Sequence, residues 1–480
     1  MLRYSHLIKN KDLYVLIIGR IIQVSIALAA IKILTTILSK EEVGNYYLLI
    51  TILTLLNFSF FNPIGMYYGR HIIGWNKTNN LLNATNILFI TRFFGIFISL
   101  FFVYIIYVYM DYSSYYGVVE LLFFITIALI ASTHGDLVNV LNTLEDRVKF
   151  MKYLVITLLI GIIFSIFIAL FVDKSGMGWL YGLFISQIIF SILIYKYIAK
   201  NRTYSYSKII LSFNSTNIKK IAYFIVPITI TLFLEWGQNM SYRFILENRY
   251  SLEILASIAV GLSVSGAIFS AVEGLVSQYF NPIYLRQITN TTKEIRTKSW
   301  NTLADNMISI YILLMIFIIS LSPYLVNILV AEKFHDVYIY TMIGALIEFF
   351  RVMTNVVFKV AMSELKTKRL IFPYLVGSII SIGTIYFIDF SEDLWKIPLV
   401  LGASYGVIFM MMFYNMRKLL PISIELGSIN KALFLSLPFG IFFFFNTYSS
   451  MLWSFAIVLI AGLYFLLTIY LLKIKIEEVK

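Results

Sequence analysis

Apolar residues run through this chain in long unbroken blocks, without the alternation of strands or the striping of water-exposed helices. The first two blocks, 13–38 and 43–66, are separated only by Ser39-Lys40-Glu41-Glu42. Each has the roughly 20 residues a helix needs to cross about 30 Å of hydrocarbon. Twelve further blocks follow at 87–109, 117–141, 153–172, 177–199, 221–246, 254–280, 303–330, 337–362, 371–388, 397–416, 431–447 and 452–472. The pattern predicts an all-α polytopic membrane protein of about fourteen transmembrane helices. Pro63 is read as ending the second span, and span 8 as stopping before Asn281-Pro282.

Charge phases these spans. With the N-terminus placed inside, twenty-six of the 38 Lys and Arg fall in inner connections. Outer connections hold only Lys40, Lys174, Arg249, Lys333 and Lys396, and seven cations lie within spans. Such asymmetry predicts an even number of spans with both termini cytoplasmic in a plasma membrane.

Composition agrees. A chain that is 60% hydrophobic and 13% charged over 480 residues could not solvate itself as a soluble protein. The net charge of +13 then reports inner loops and not a nucleic-acid partner. Absence of Cys excludes a thiolate metal site, and His6, His71, His134 and His335 are too scattered to form one. The first block is 26 residues long, with no small-residue cleavage site after it, so it is expected to stay in the protein.

The longest inner connection, Lys200–Lys220, is rich in Ser, Asn and Lys and falls between spans 6 and 7. The expected organisation is a six-helix bundle over 1–199, a cytoplasmic linker over 200–220, a second six-helix bundle over 221–416, and two additional helices with a cytoplasmic tail over 417–480. An internal echo supports duplication: at an offset of 211, Lys32 falls on Arg243, Leu34 on Ile245, Glu42 on Glu253 and Val43 on Ile254.

No phosphate loop, HExxH, GxSxG or extramembrane carboxylate pair is present. The chemistry sits instead in ionisable residues at membrane depth, each of which needs a partner, water or a cavity. Arg20 lies about 10 Å inside the inner end of span 1. Lys32, six residues from the outer end, is placed to line a lumen or to snorkel outward. Arg92 reads as a headgroup anchor, and His134 with Asp136 as a pair near the inner end of span 4. In span 7, Glu235 opens a polar run, and Arg243 lies two turns on, on nearly the same face. Glu273 is deep in span 8, and Glu348 and Arg351 are spaced to pair on span 10. Lys359 reads as snorkelling inward, and Pro227 marks a hinge in span 7. Glu235, Glu273, Glu348 and Asp136 are the candidates for ion coupling or charge pairing, with H+ or Na+ the only cofactor implied.

The run KILTTILSKEEVGNYYLLITI (Lys32–Ile52), followed by NPIGMYYGRHI (Asn62–Ile72), resembles the N-terminal signature of the polysaccharide repeat-unit flippases. These are the Wzx-type exporters of O-antigen and capsule synthesis, in the MATE-like MOP superfamily. Glu41, Glu42, Gly44, Tyr46, Gly65 and Arg70 fit that signature; Ser39-Lys40 stands for its usual Gly-Pro and Asn62 for its Asp. LEDRVKF (Leu144–Phe150) and YRFILE (Tyr242–Glu247) resemble later family stretches. The resemblance implies two six-helix bundles in a V around a central cavity, plus two C-terminal helices. The implied cargo is an undecaprenyl-pyrophosphate-linked oligosaccharide moved to the outer leaflet of a bacterial inner membrane by alternating access. Membrane lipids, a polysaccharide polymerase and a chain-length regulator are the implied partners. A pyrophosphate needs a cationic hydrated route, and Arg20, Lys32, Arg243 and Arg351 are the cations expected to supply it. A flippase for another lipid-linked substrate, or a multidrug or cation antiporter of the same architecture, is the alternative. The outer loops are too short for a membrane enzyme.

Overall fold

In the computed structural model of the chain, fourteen helices are long and apolar enough to cross a membrane. The structure describes residues 2–110, 112, 115–200, 202, 215–288, 291–364, 366–444 and 450–472, and no strand occurs among them. Most of the expected cytoplasmic linker and the end of the C-terminal tail lie outside the described residues.

The helices are α1 (Leu2–Ile37), α2 (Lys40–Lys77), α3 (Leu81–Tyr109), α4 (Val118–Thr143), α5 (Arg147–Phe171), α6 (Gly176–Ala199) and α7 (Ile221–Arg249). They continue as α8 (Leu252–Ile288), α9 (Lys293–Leu329), α10 (Glu332–Ser363), α11 (Lys368–Phe387), α12 (Lys396–Arg417), α13 (Leu426–Phe444) and α14 (Met451–Leu471). Each sequence-predicted span falls on one of them. Two ends differ. Helix α2 does not stop at Pro63 but runs on to Lys77, because a π-turn over Asn57–Phe61 precedes the proline, with the Asn62 amide bonded to the Asn57 carbonyl. Pro63 then opens a fresh α-helical segment, where its missing N–H costs nothing. Helix α8 likewise continues through Asn281-Pro282 to Ile288.

The chain forms two compact units. The first takes residues up to Ile26 together with Ile37–Trp236; the second takes Ala27–Thr36 and everything from Gly237 onward.

In the first unit α6 is the shared wall, packing on α2, α4 and α5. Ser39 caps α2 by accepting from the Glu42 amide at 3.2 Å. Glu42 in turn accepts from the Gly176 amide at 2.8 Å, a carboxylate placed at the positive end of α6. The charged cap between the first two blocks is thus a clasp that seats α6. Small residues close the α5–α6 contact: Ser165 Oγ donates to the Trp179 carbonyl at 2.7 Å and Ser186 Oγ to the Thr157 carbonyl at 2.7 Å. Gly182 lies directly against the backbone of Phe164 and Ser165, the close approach that small residues permit between membrane helices. Gly182→Val is expected to force α5 and α6 apart and to cost about 1–3 kcal/mol, read as a lower unfolding temperature in detergent.

In the second unit α9 is central, in contact with α8, α10, α13 and α14. Trp300, fully buried, donates from Nε1 to the Val356 carbonyl at 3.1 Å. The two C-terminal helices dock on α9 through Phe317, whose ring meets Phe439 and Phe465, and through Asn327 Nδ2 to Ser454 Oγ at 3.0 Å. At the end of α11, Arg249 Nη1 donates to the Ile385 and Ile388 carbonyls, both at 3.2 Å. Beyond it, the Ser391 amide and hydroxyl and the Tyr250 hydroxyl hold the Asp389 carboxyl below its usual range.

Candidate functional site: charges at membrane depth

In the first unit, Arg20 is half-buried on α1, and its Nη1 donates to Gln23 Oε1 at 2.6 Å. Its Nε is buried without a hydrogen-bond partner. Among the described residues no carboxylate pairs with it. This is a guanidinium held in place but not neutralised.

Arg92 corrects the reading of a headgroup anchor. It is 3% exposed; its Nη2 lies 2.5 Å from Asp136 Oδ2, and its Nη1 donates to Ser132 Oγ at 2.9 Å. Its guanidinium also stands 5.1 Å from the Phe61 ring centroid. Three irregularities meet here. Phe61 ends the π-turn of α2, α4 breaks at Ser132, and Gly65 leaves no room for a Cβ beside Asp136 Oδ1. His134 does not pair with Asp136. Its Nε2 meets Thr157 Oγ1 of α5 at 3.1 Å, because residues two apart on a helix face different neighbours.

Helix α7 holds through Pro227, where Thr231 Oγ1 donates to the proline carbonyl at 3.0 Å. It breaks thirteen residues later, at Met240–Ser241, and restarts as Tyr242–Arg249. The break interrupts the register that sequence spacing assumed between Glu235 and Arg243, and the two fall on different units, Glu235 on the first and Arg243 on the second. Trp236, next to Glu235, donates from Nε1 to the Thr51 carbonyl at 3.1 Å.

In the second unit, Arg243 is buried, with its Nε 3.4 Å from the Tyr242 hydroxyl. Lys32 neither snorkels nor stands alone. Its Nζ donates to the Asn327 carbonyl at 3.2 Å and to the Val330 carbonyl, so it caps the C-terminus of α9, where a cation complements exposed carbonyls.

Arg351 gathers two other predicted residues, Glu348 and Glu273. Its Nε donates to Glu348 Oε2 at 2.7 Å and its Nη2 to Glu273 Oε2 at 2.9 Å. Asn355 Nδ2 donates to Glu273 Oε1 at 2.9 Å. The Glu348–Arg351 pair was readable from its spacing; Glu273 and Asn355 join it only through the packing of α8 on α10. Arg351 is therefore saturated with carboxylate and offers no spare charge in this state.

Sequence reasoning missed Gln238. It is fully buried; its Nε2 donates to Ser404 Oγ at 2.5 Å and its Oε1 accepts from Ser381 Oγ at 3.0 Å. Its place in the polar Trp236–Asn239 run was the available signal. The network ties α7, α11 and α12 together without charge. No group of three or more His, Cys, Asp or Glu able to hold a metal occurs among the described residues.

No family model and no curated protein matches the chain. Solved structures do. A lipid II flippase MurJ in an inward closed conformation aligns with a TM-score of 0.66 over 95% of this chain and 97% of its own, at 13% identity. An outward-facing multidrug MATE transporter gives 0.57 over 85% and 95%, at 13% identity. An inward-facing MATE transporter gives 0.52 over 84% and 94%, at 11% identity. With fourteen membrane-length helices and these likenesses, the chain has the fold of the MOP-superfamily membrane transporters.

Proposed function

We propose that this protein is a flippase that carries a lipid-linked oligosaccharide diphosphate from the inner to the outer leaflet of a bacterial inner membrane, for O-antigen or capsule assembly. The observation that carries the reading is Arg20, a guanidinium at membrane depth positioned by Gln23 and paired with no carboxylate among the described residues. Keeping such a charge away from water is costly, and an anionic headgroup compensates it during passage. A pump for cationic drugs gains nothing from it. The flippase likeness spans 95% of the chain against 84–85% for the MATE transporters, which favours the lipid cargo. The Wzx-type resemblance at Lys32–Ile52 supplies the oligosaccharide, with a polymerase and chain-length regulator as downstream partners.

The test is binding by the purified protein in nanodiscs, followed by native mass spectrometry. Retention of undecaprenyl diphosphate over undecaprenol is expected. Equal retention of both, or preference for a lipophilic cation, would overturn the reading. In cells, Arg243→Ala is expected to cut surface polysaccharide several-fold while membrane insertion stays intact; normal polysaccharide in that variant removes Arg243 from the route.

A further inference from the structure

Around Arg20, helix α1 has two unlike sides. Ile18, Ile21 and Ile22 are exposed, and at about 100° per residue they share one side with Ser25, also exposed. Gly19, Arg20 and Gln23 fall on the opposite side. Gly19 is buried and leaves no room for a Cβ beside Met151, which seats α1 against α5 at this level. Arg20 and Gln23 are three residues apart, neighbours on the helix surface. Both are only partly buried, so a ligand can reach both.

The hydrogen bond between them fixes which atoms a ligand meets. A guanidinium only donates, so the Gln23 atom 2.6 Å from Arg20 Nη1 is the carbonyl oxygen Oε1, and the Gln23 amide Nε2 turns away from the arginine. Among the described residues nothing accepts from that Nε2, and Arg20 Nε is buried without a hydrogen-bond partner. The pair therefore offers donors, with its acceptor oxygen already used by Nη1. Charge matters as much as geometry. Glutamate matches glutamine in length and bonds a guanidinium more strongly, so an acid would serve better if holding Arg20 were the whole task. The neutral amide orients the planar fork and leaves its charge intact. An oxyanion with several oxygens, such as a diphosphate, matches a positive surface made of donors. A cation is repelled there, and a neutral alcohol compensates none of the charge.

We propose that Gln23 sets the anion selectivity of the Arg20 site. Its Oε1 orients the guanidinium, its neutrality preserves the positive charge, and its Nε2 supplies a further donor to a diphosphate oxygen. The inference rests on the flippase reading for the lipid that carries the diphosphate, and on the donor set alone for the anion.

The test is the affinity of the full chain in nanodiscs for inorganic pyrophosphate, undecaprenyl diphosphate and undecaprenol, each titrated separately. Gln23→Glu is expected to weaken binding of both diphosphates at least about ten-fold and to leave undecaprenol binding unchanged. Its unfolding temperature should hold or rise, because the new carboxylate pairs with Arg20. Gln23→Leu loses the amide without adding a negative charge, and is expected to weaken diphosphate binding by only about three-fold. Diphosphate affinity kept in Gln23→Glu overturns the proposal, since a glutamine that merely holds the arginine is replaceable by its isostere. A larger loss in Gln23→Leu than in Gln23→Glu overturns it for the same reason, as does a wild type that binds neither diphosphate. If Gln23→Glu abolishes pyrophosphate binding while undecaprenyl diphosphate is held no better than undecaprenol, the anion site stands and the cargo reading fails.

Discussion

Arg92→Leu is expected to lower the stability of the protein by about 3–5 kcal/mol, the cost of stranding a buried charge whose partner has been removed. The partner is Asp136, 2.5 Å from the guanidinium, with side chains 4% and 16% exposed. Truncation also removes the bond to Ser132 and the cation over Phe61. The decisive comparison is the double variant Arg92→Leu/Asp136→Leu. Replacing both members of a buried pair with apolar groups is often nearly neutral, so the double variant should recover most of the lost unfolding temperature in detergent. Equal losses in the single and double variants would show that packing around Phe61, and not the ion pair, carries the stability.

Arg20→Gln is expected to weaken binding of undecaprenyl diphosphate at least about ten-fold, or ~1.4 kcal/mol, and to leave undecaprenol binding unchanged. Hydrogen bonds to a charged partner contribute about 1.5–3 kcal/mol, so the effect should be plain in a binding titration. Stability should change little, because Arg20 has no carboxylate to leave unpaired among the described residues. Arg20→Lys should recover part of the affinity, as a point charge without the planar fork. An unchanged affinity ratio in Arg20→Gln would remove Arg20 from the headgroup route.

These two arginines show where sequence reading succeeds and where it stops. Both are cations in apolar blocks, and composition cannot tell them apart. Arg92 lies five residues from the inner end of its block, a depth at which a snorkelling anchor is the economical reading. Its real partner is Asp136 on α4, four residues past the break at Ser132. Lys32 was ambiguous for the same reason, since the α9 carbonyls that hold it are some 300 positions away in the chain. Span number was legible because bilayer thickness sets block length, and Glu348–Arg351 because helical spacing sets neighbours. Helix irregularities were not. Pro63 and Pro227 are residues able to stop or bend a helix, yet α7 runs through Pro227, and the breaks of α2, α4 and α7 fall at Asn57–Phe61, Ser132 and Met240–Ser241, stretches without proline.

The π-turn of α2 has a consequence for descent as well as shape. A wide turn of this kind behaves as one surplus residue spliced into an ordinary helix, and each residue of phase rotates everything downstream by about 100°. Gly65, which meets Asp136, and Tyr68, which reaches Thr85, both lie downstream of that surplus. Related chains that lost the splice would need a different residue against the α4 carboxylate, so single-residue gaps within 57–61 should be inherited together with changes at positions 65 and 136.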